Sequence, residues 1–73
     1  MGQLRRINCK KAIKAFIKAG GIQRKGKGDH INIKMPNGQI ITLPCSSDLK
    51  VGLLRAAIKK AGLTVEDFQR LIK

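Results

Sequence analysis

His30 is the only histidine in the 73-residue sequence, and imidazole is the side chain that most readily exchanges a proton near neutral pH. It follows a run of alternating lysines and glycines that covers residues 25–28. An imidazole can act as general base on a ribose 2′-hydroxyl, while Lys25, Lys27 or Lys34 stabilises the charge that develops on the phosphate. The residues around His30 therefore make it a candidate catalytic residue for RNA cleavage, while a structural histidine remains the alternative at this point.

The acid–base groups of this site are incomplete. RNA cleavage also needs an acid for the leaving oxygen, and the sequence contains no second histidine. A lysine, a water molecule or the proton returned by His30 must take that role. The alternative interpretation is therefore a non-catalytic, basic RNA-binding module. In that case His30 has no catalytic role, and the basic side chains contact the phosphates of the RNA. In both interpretations the RNA-binding candidates are Arg24, Lys25, Lys27, Gly28 and Lys34.

The charge of the chain favours a polyanionic partner. The 16 Lys and Arg residues against 4 Asp and Glu residues give a formal net charge of +12, and residues 1–28 contain no acid. Such a potential attracts phosphate groups, so RNA is the expected partner. A third interpretation makes the first helix a ligand for a membrane surface or a protein groove, but it leaves the later elements unexplained.

Other kinds of site find little support. The soft and imidazole ligands are Cys9, His30 and Cys45, too few for a four-ligand zinc site, so we expect no metal. The Lys-Gly run has neither a P-loop ending nor the spacing of a dinucleotide-binding loop, so no cofactor is expected either. The only aromatic residues, Phe16 and Phe68, fall in helical stripes, so binding should depend on backbone charge and shape.

The cysteines and the apolar pattern predict the compartment. Cys9 and Cys45 can be joined as one disulfide on paper, but the N-terminal residues do not resemble a secretory signal. Both are therefore expected to be reduced thiols of a cytoplasmic protein. The longest uncharged stretch, residues 35–47, contains two prolines and is too short to span a bilayer, so no membrane association is expected.

A basic amphipathic helix is predicted first, from residue 8 onward. Its apolar stripe consists of Cys9, Ala12, Ile13, Phe16 and Ile17. This is the spacing of one helical face, and lysines occupy the other face. Asn8 can cap the helix, and the glycine pair at residues 20–21 ends it.

Three strands are predicted next. A short extended piece covers residues 22–24, and residues 30–35 alternate as a half-buried strand does. Residues 36–38, Pro-Asn-Gly, suit a three-residue hairpin loop with the glycine in the left-handed position. The cross-strand pairs set by this loop are Met35 with Gln39, Ile33 with Ile41, and Ile31 with Leu43. The large apolar side chains then share one face, and His30 lies on the other.

Two further helices complete the predicted domain. One covers residues 50–61, with candidate caps among residues 45–48 and Gly62 as its stop. Thr64, followed by acids at 66 and 67, opens a last short helix that ends near Lys73. We therefore predict a single α+β domain over residues 1–73 with the order α-β-β-β-α-α and helices on one face of a three-stranded antiparallel sheet.

The sequence resembles the HicA family of toxins. The similarity covers residues 9–72, and its most specific parts are Gly28-Asp29-His30 and residues 52–63. The resemblance implies a fold similar to the double-stranded-RNA-binding domain and the activity of a messenger-RNA interferase. It also implies a HicB-type antitoxin as partner. The family's catalytic residue is the histidine of a Gly-Ser-His motif, to which Gly28 and His30 correspond.

The chain departs from the family pattern at two places. Asp29 stands where Ser is usual, which adds a negative charge beside the expected phosphate site. The family often has a second histidine shortly after the hairpin proline, whereas residues 44–47 here read Pro-Cys-Ser-Ser. Together, residues and resemblance predict a cytoplasmic toxin that cleaves messenger RNA without a metal, through His30.

Overall fold

A computed structural model of the chain describes residues 6–72. The elements are α1 (Cys9–Lys18), β1 (Ile22–Lys25), β2 (His30–Lys34), β3 (Ile40–Pro44), α2 (Val51–Lys60) and α3 (Val65–Ile72). The α+β class and the order α-β-β-β-α-α are confirmed. Arg5, which belongs to the basic N-terminal part, and Lys73, the expected end of the last helix, lie outside the described residues.

The predicted cap and stop of α1 both form. The Asn8 side chain accepts a hydrogen bond from the backbone N–H of Lys10 at 2.7 Å. At the other end, the backbone N–H of Gly20 donates to Ile17 at 2.9 Å, and that of Gly21 donates to Phe16 at 3.0 Å. This is a Schellman ending, and the φ of +102° at Gly20 is the left-handed conformation it requires.

The three strands form an antiparallel sheet in the order β1-β2-β3. Ile33 pairs with Ile41 and Ile31 pairs with Leu43, as the hairpin loop predicts. The backbone N–H of Met35 donates to the carbonyl of Gln39 at 2.8 Å and closes the loop. The register of β2 and β3 is therefore confirmed, while β1 is one residue longer than predicted and β2 one residue shorter.

Alternation along the strands creates two unlike faces. The covered face, against which the helices pack, carries Ile31, Ile33, Ile41 and Leu43. The opposite face, here called the open face, carries His30, Asn32 and Lys34 of β2, Ile22 and Arg24 of β1, and Ile40, Thr42 and Pro44 of β3. The largest buried side chains all lie on the covered side, and Phe16 of α1 contacts Phe68 of α3 with ring centroids 5.0 Å apart. The hydrophobic core therefore leaves the open face free of packing constraints.

The side chain of Asn37, in the hairpin loop, makes two hydrogen bonds. Its oxygen accepts from the backbone N–H of Gln39 at 3.0 Å, within the loop itself. Its amide nitrogen donates to the carbonyl of Lys60 at 3.1 Å, at the last residue of α2. The loop is thus attached to the end of a helix that is distant in sequence.

The starts of α2 and α3 differ from each other. Residues 45–48 were expected to supply a cap for α2, but this prediction is wrong, because the helix begins at Val51 and the capping position is Lys50, whose side chain makes no capping bond. The predicted cap of α3 does form. The Thr64 hydroxyl accepts from the backbone N–H of Asp67 at 3.0 Å, and the Asp67 carboxylate accepts from the N–H of Thr64 at 3.3 Å.

The expectation of two reduced thiols is wrong in this structure. Cys9 and Cys45 form a disulfide that joins the first residue of α1 to the residue after β3. Their Cα atoms are 5.4 Å apart, within the usual range for such a bond, because α1 begins directly over the end of β3. Across residues 6–72, every helix is too short or too polar to cross a membrane.

Candidate active site

His30 is the first residue of β2 and the last residue of the tight turn that precedes it. Its backbone N–H donates to the carbonyl of Lys27 at 3.0 Å, which closes the turn. Its ring nitrogen Nδ1 lies 3.2 Å from the same carbonyl. A carbonyl can only accept, so Nδ1 is the donor in this contact, and in the neutral form of the ring the lone pair lies on Nε2. The ring is exposed and anchored at one nitrogen, which leaves the other available as a base.

Glycine is required at Gly26 and at Gly28 of this turn for different structural reasons. Gly28 has a φ of +58°, and a Cβ at this position would meet nothing within 4 Å, so the backbone conformation is what requires glycine. Gly26 is the opposite case, since a Cβ there would overlap the carbonyl of His30. Gly26 therefore lets the chain pass close to His30, while Gly28 leaves open space on the solvent side of the turn.

Two of the predicted cations share the open face with His30. Lys34 lies on the same strand, four residues on, so its Cα is about 13 Å from that of His30. Arg24 lies on β1 directly opposite Asn32, which is two residues from His30. Both side chains are exposed. A phosphate chain lying across this face would meet the Arg24 guanidinium beside Asn32 on β1 and the Lys34 ammonium group two residues further along β2.

The other two cations are placed differently. Lys25 pairs with Ile31, so its side chain belongs to the covered side of the sheet at the exposed edge strand. Lys27 lies in the turn itself, where its carbonyl holds His30 and its side chain is exposed. The structure thus places Arg24 and Lys34 on the open face with His30, Lys27 and Gly28 in the turn that precedes it, and Lys25 on the opposite side of the sheet.

Asn32 and Thr42 extend the polar surface beside His30, and neither was predicted as a site residue. The Thr42 hydroxyl donates to the Asn32 side-chain oxygen at 2.8 Å across the strands. This bond directs the amide N–H groups of Asn32 away from Thr42, where they can donate to a phosphate or a ribose hydroxyl. The alternation of the sequence places both residues on the open face, but their hydrogen bond depends on the register.

The end of β3 supports the His30 turn from the side. Pro44 pairs with His30 across the strands, and the backbone N–H of Cys45 donates to the carbonyl of Asp29 at 2.8 Å. The Asp29 side chain is exposed in the turn. Asp29 therefore has a structural contact through its backbone, independent of its carboxylate.

The site is a surface and not a cavity. Within residues 6–72, His, Cys, Asp and Glu side chains do not gather in groups of three or more that could hold a metal ion. A surface cavity of about 530 Å³ lies on the covered side between α1 and the chain after β3, and His30 does not line it. The open face is therefore suited to an extended polyanion.

A family model described as "HicA toxin of bacterial toxin-antitoxin" matches residues 9–63 of the chain. The match begins at the first residue of α1 and ends just after the glycine that stops α2. The chain belongs to the HicA family. The matched segment contains His30 and every RNA-binding candidate, whereas α3 lies beyond it. Membership of a toxin–antitoxin family implies an antitoxin partner. The comparison with curated proteins found no match.

Proposed function

We propose that this HicA-family chain is the toxin of its pair and acts as an endoribonuclease on messenger RNA in the cytoplasm. The observation that carries the proposal is the placement of His30. Its Nδ1 is held by the carbonyl of Lys27 at 3.2 Å, and its Nε2 is free on an exposed face that carries Arg24 and Lys34. Abstraction of a ribose proton requires an oriented imidazole with one accessible ring nitrogen, and cations on the same face can bind the phosphate.

The chemistry needs no metal ion. Nε2 of His30 takes the proton of a ribose 2′-hydroxyl, and the 2′-oxygen attacks the adjacent phosphorus. The bond from phosphorus to the 5′-oxygen breaks, and that oxygen receives a proton from the imidazolium or from water. The products are a 2′,3′-cyclic phosphate and a 5′-hydroxyl end. Arg24, Lys27 and Lys34 stabilise the charge on the pentacoordinate phosphate.

Binding of RNA by this face would depend on charge and shape. Arg24, Lys27 and Lys34 would contact phosphates, Gly28 would allow a close approach at the turn, and Asn32 would donate to a phosphate or a 2′-hydroxyl. A HicB-type antitoxin would then neutralise the toxin by covering the same basic face. Family membership supports the existence of an antitoxin. A protein bound over the open face would block both RNA binding and access to His30.

The test uses a defined messenger RNA in EDTA with the parent protein and its His30→Ala variant. We expect the parent to leave cyclic-phosphate ends and the variant to cleave at least about 100-fold more slowly, because a general base contributes that much or more. Lys59→Ala is the matched control. Lys59 is exposed on α2, away from the open face, so this variant should cleave RNA at the parental rate. Cleavage by His30→Ala at the parental rate would overturn the catalytic role.

The second candidate function, a non-catalytic RNA-binding module, has one observation in its favour. The chain has a single histidine and an aspartate at position 29, so neither a second imidazole nor the usual serine assists the reaction. This candidate predicts that the parent and His30→Ala bind RNA equally, with affinity falling steeply as salt rises, and that neither yields cleavage products.

A further inference from the structure

We propose that the Cys9–Cys45 pair is a thiol–disulfide exchange site for a low-molecular-weight thiol of the glutathione class, and that its oxidised form fixes the turn that carries His30. This inference concerns bonds within the chain, so it does not depend on the ribonuclease proposal. Four observations support it, namely the disulfide itself, a cavity beside it, the position of Cys9 on a helix, and the backbone contact of Cys45.

The disulfide is accessible to a small molecule. The cavity of about 530 Å³ is lined by both cysteines, and its other polar lining residues include Asn8, Lys10, Ser46, Ser47 and Asp48. The lining therefore offers an ammonium group, two hydroxyls and one carboxylate in the same cavity as the sulfur atoms. Such mixed charges suit a small thiol that carries both carboxylates and an ammonium group, such as the glutathione tripeptide.

The two sulfur atoms differ in exposure and in electrostatic setting. Cys9 is only 7% exposed, whereas Cys45 is half-buried, so Cys45 is the sulfur that an incoming thiolate can reach. Cys9 is the first residue of α1, and the helix N-terminus favours a negative charge on its sulfur. A thiol that is stabilised as an anion is the better leaving group in thiol–disulfide exchange.

The exchange is balanced with a thiol as reductant. A glutathione thiolate attacks the sulfur of Cys45, the Cys9–Cys45 bond breaks, and Cys9 leaves as a thiolate. A second glutathione thiolate then attacks the glutathione sulfur of the mixed disulfide on Cys45. The products are two protein thiols and oxidised glutathione, and the reverse sequence re-forms the disulfide with oxidised glutathione as oxidant.

The disulfide is coupled to the His30 turn through the backbone. The N–H of Cys45 donates to the carbonyl of Asp29 at 2.8 Å, and Pro44 pairs with His30. Cys9 is part of a helix anchored in the core by Phe16. The covalent bond therefore holds the end of β3 between α1 and the turn. Reduction removes that constraint while the rest of the sheet stays packed under the helices.

The test holds the parent protein at a series of reduced-to-oxidised glutathione ratios, followed by alkylation and mass spectrometry. Backbone amide hydrogen exchange is measured on the fully oxidised and fully reduced forms. We expect reversible interconversion, and after reduction a several-fold faster exchange at the amides of Cys45 and His30. The amide of Ile33, in the middle of β2, is the internal reference and should change less.

Two matched variants test the order of attack. Cys9→Ser should accumulate one glutathione adduct on Cys45, because the resolving sulfur is gone. Cys45→Ser should take up glutathione much more slowly, because Cys9 is buried.

Three results would overturn the proposal. The first is a folded parent whose thiols stay free in excess oxidised glutathione. The second is unchanged exchange at the Cys45 and His30 amides on reduction. The third is an equal increase in the hydrogen-exchange rate of the Ile33 amide on reduction. That result would show a global loss of stability and not a local loosening of the His30 turn.

Discussion

The two faces of the sheet are made by alternate residues of the same strands, yet they differ in burial and in the side chains that they carry. On the covered face Ile33 and Leu43 are fully buried and meet the helices. On the open face Lys34, which follows Ile33, and Thr42, which precedes Leu43, are exposed, as is His30. The comparison shows that one alternation serves both the core and the candidate site, so a shift of register by one residue would destroy both together.

The largest expected effect is a difference in the free energy of unfolding between a variant on the covered face and a variant on the open face. Ile33→Ala removes a fully buried side chain and should lower the free energy of unfolding by about 2–5 kcal/mol. Ile40→Ala is the matched control, since Ile40 is 47% exposed on the open face and should change stability by no more than about 0.5 kcal/mol. Urea unfolding followed by circular dichroism measures both. Equal losses for the two variants would contradict the division into covered and open faces.

The next effect is a difference in the salt dependence of RNA binding between a variant on the open face and a variant on the covered side. Arg24 and Lys25 are adjacent, exposed cations on opposite sides of β1. Arg24→Ala should reduce the slope of log affinity against log salt concentration by about 0.7, the value for one phosphate contact to single-stranded RNA. Lys25→Ala should leave the slope closer to that of the parent. Fluorescence anisotropy across a salt series gives both slopes, and a larger change for Lys25→Ala would place the RNA on the other side of the sheet.

The smallest effect concerns a single hydrogen bond on the open face. Thr42→Val keeps the shape of the side chain and removes the bond to Asn32. We expect a loss of stability of about 0.5–1 kcal/mol, because the bond is exposed and its net contribution is small. Chemical denaturation measures this loss. A loss as large as that of Ile33→Ala would mean that the open face contributes to the core, against the comparison.

Local patterns predicted most of the fold. The cap of α1, its glycine stop and the three-residue hairpin loop each involve residues within five positions of one another, so the sequence alone contains them. The register of the hairpin followed from the loop, since loop length and turn type determine which residues pair. The face of His30 then followed from the register.

Contacts between distant segments were the features that the sequence did not predict. The disulfide of Cys9 with Cys45 spans 36 residues, and only the packing of α1 over the end of β3 brings the two sulfur atoms together. The cap expected for α2 does not form because Leu49 pairs with Ile7 in an isolated β-bridge. The helix begins only after this bridge, at Val51, so Lys50 occupies the capping position. Likewise, the side on which Lys25 lies depends on how β1 pairs with β2, which no local pattern determines.

The bond from Asn37 to the last carbonyl of α2 limits how the chain can vary in length. Exposed loop tips are ordinarily the places where insertions are tolerated, because their backbone is free of other contacts. Here the tip caps a helix, and a Cβ at Gly62 would lie only 3.2 Å from the same amide nitrogen. One additional residue in the loop would move Asn37 away from Lys60 and leave that helix end without its donor. The loop length is thus determined by a helix more than twenty residues further along the chain.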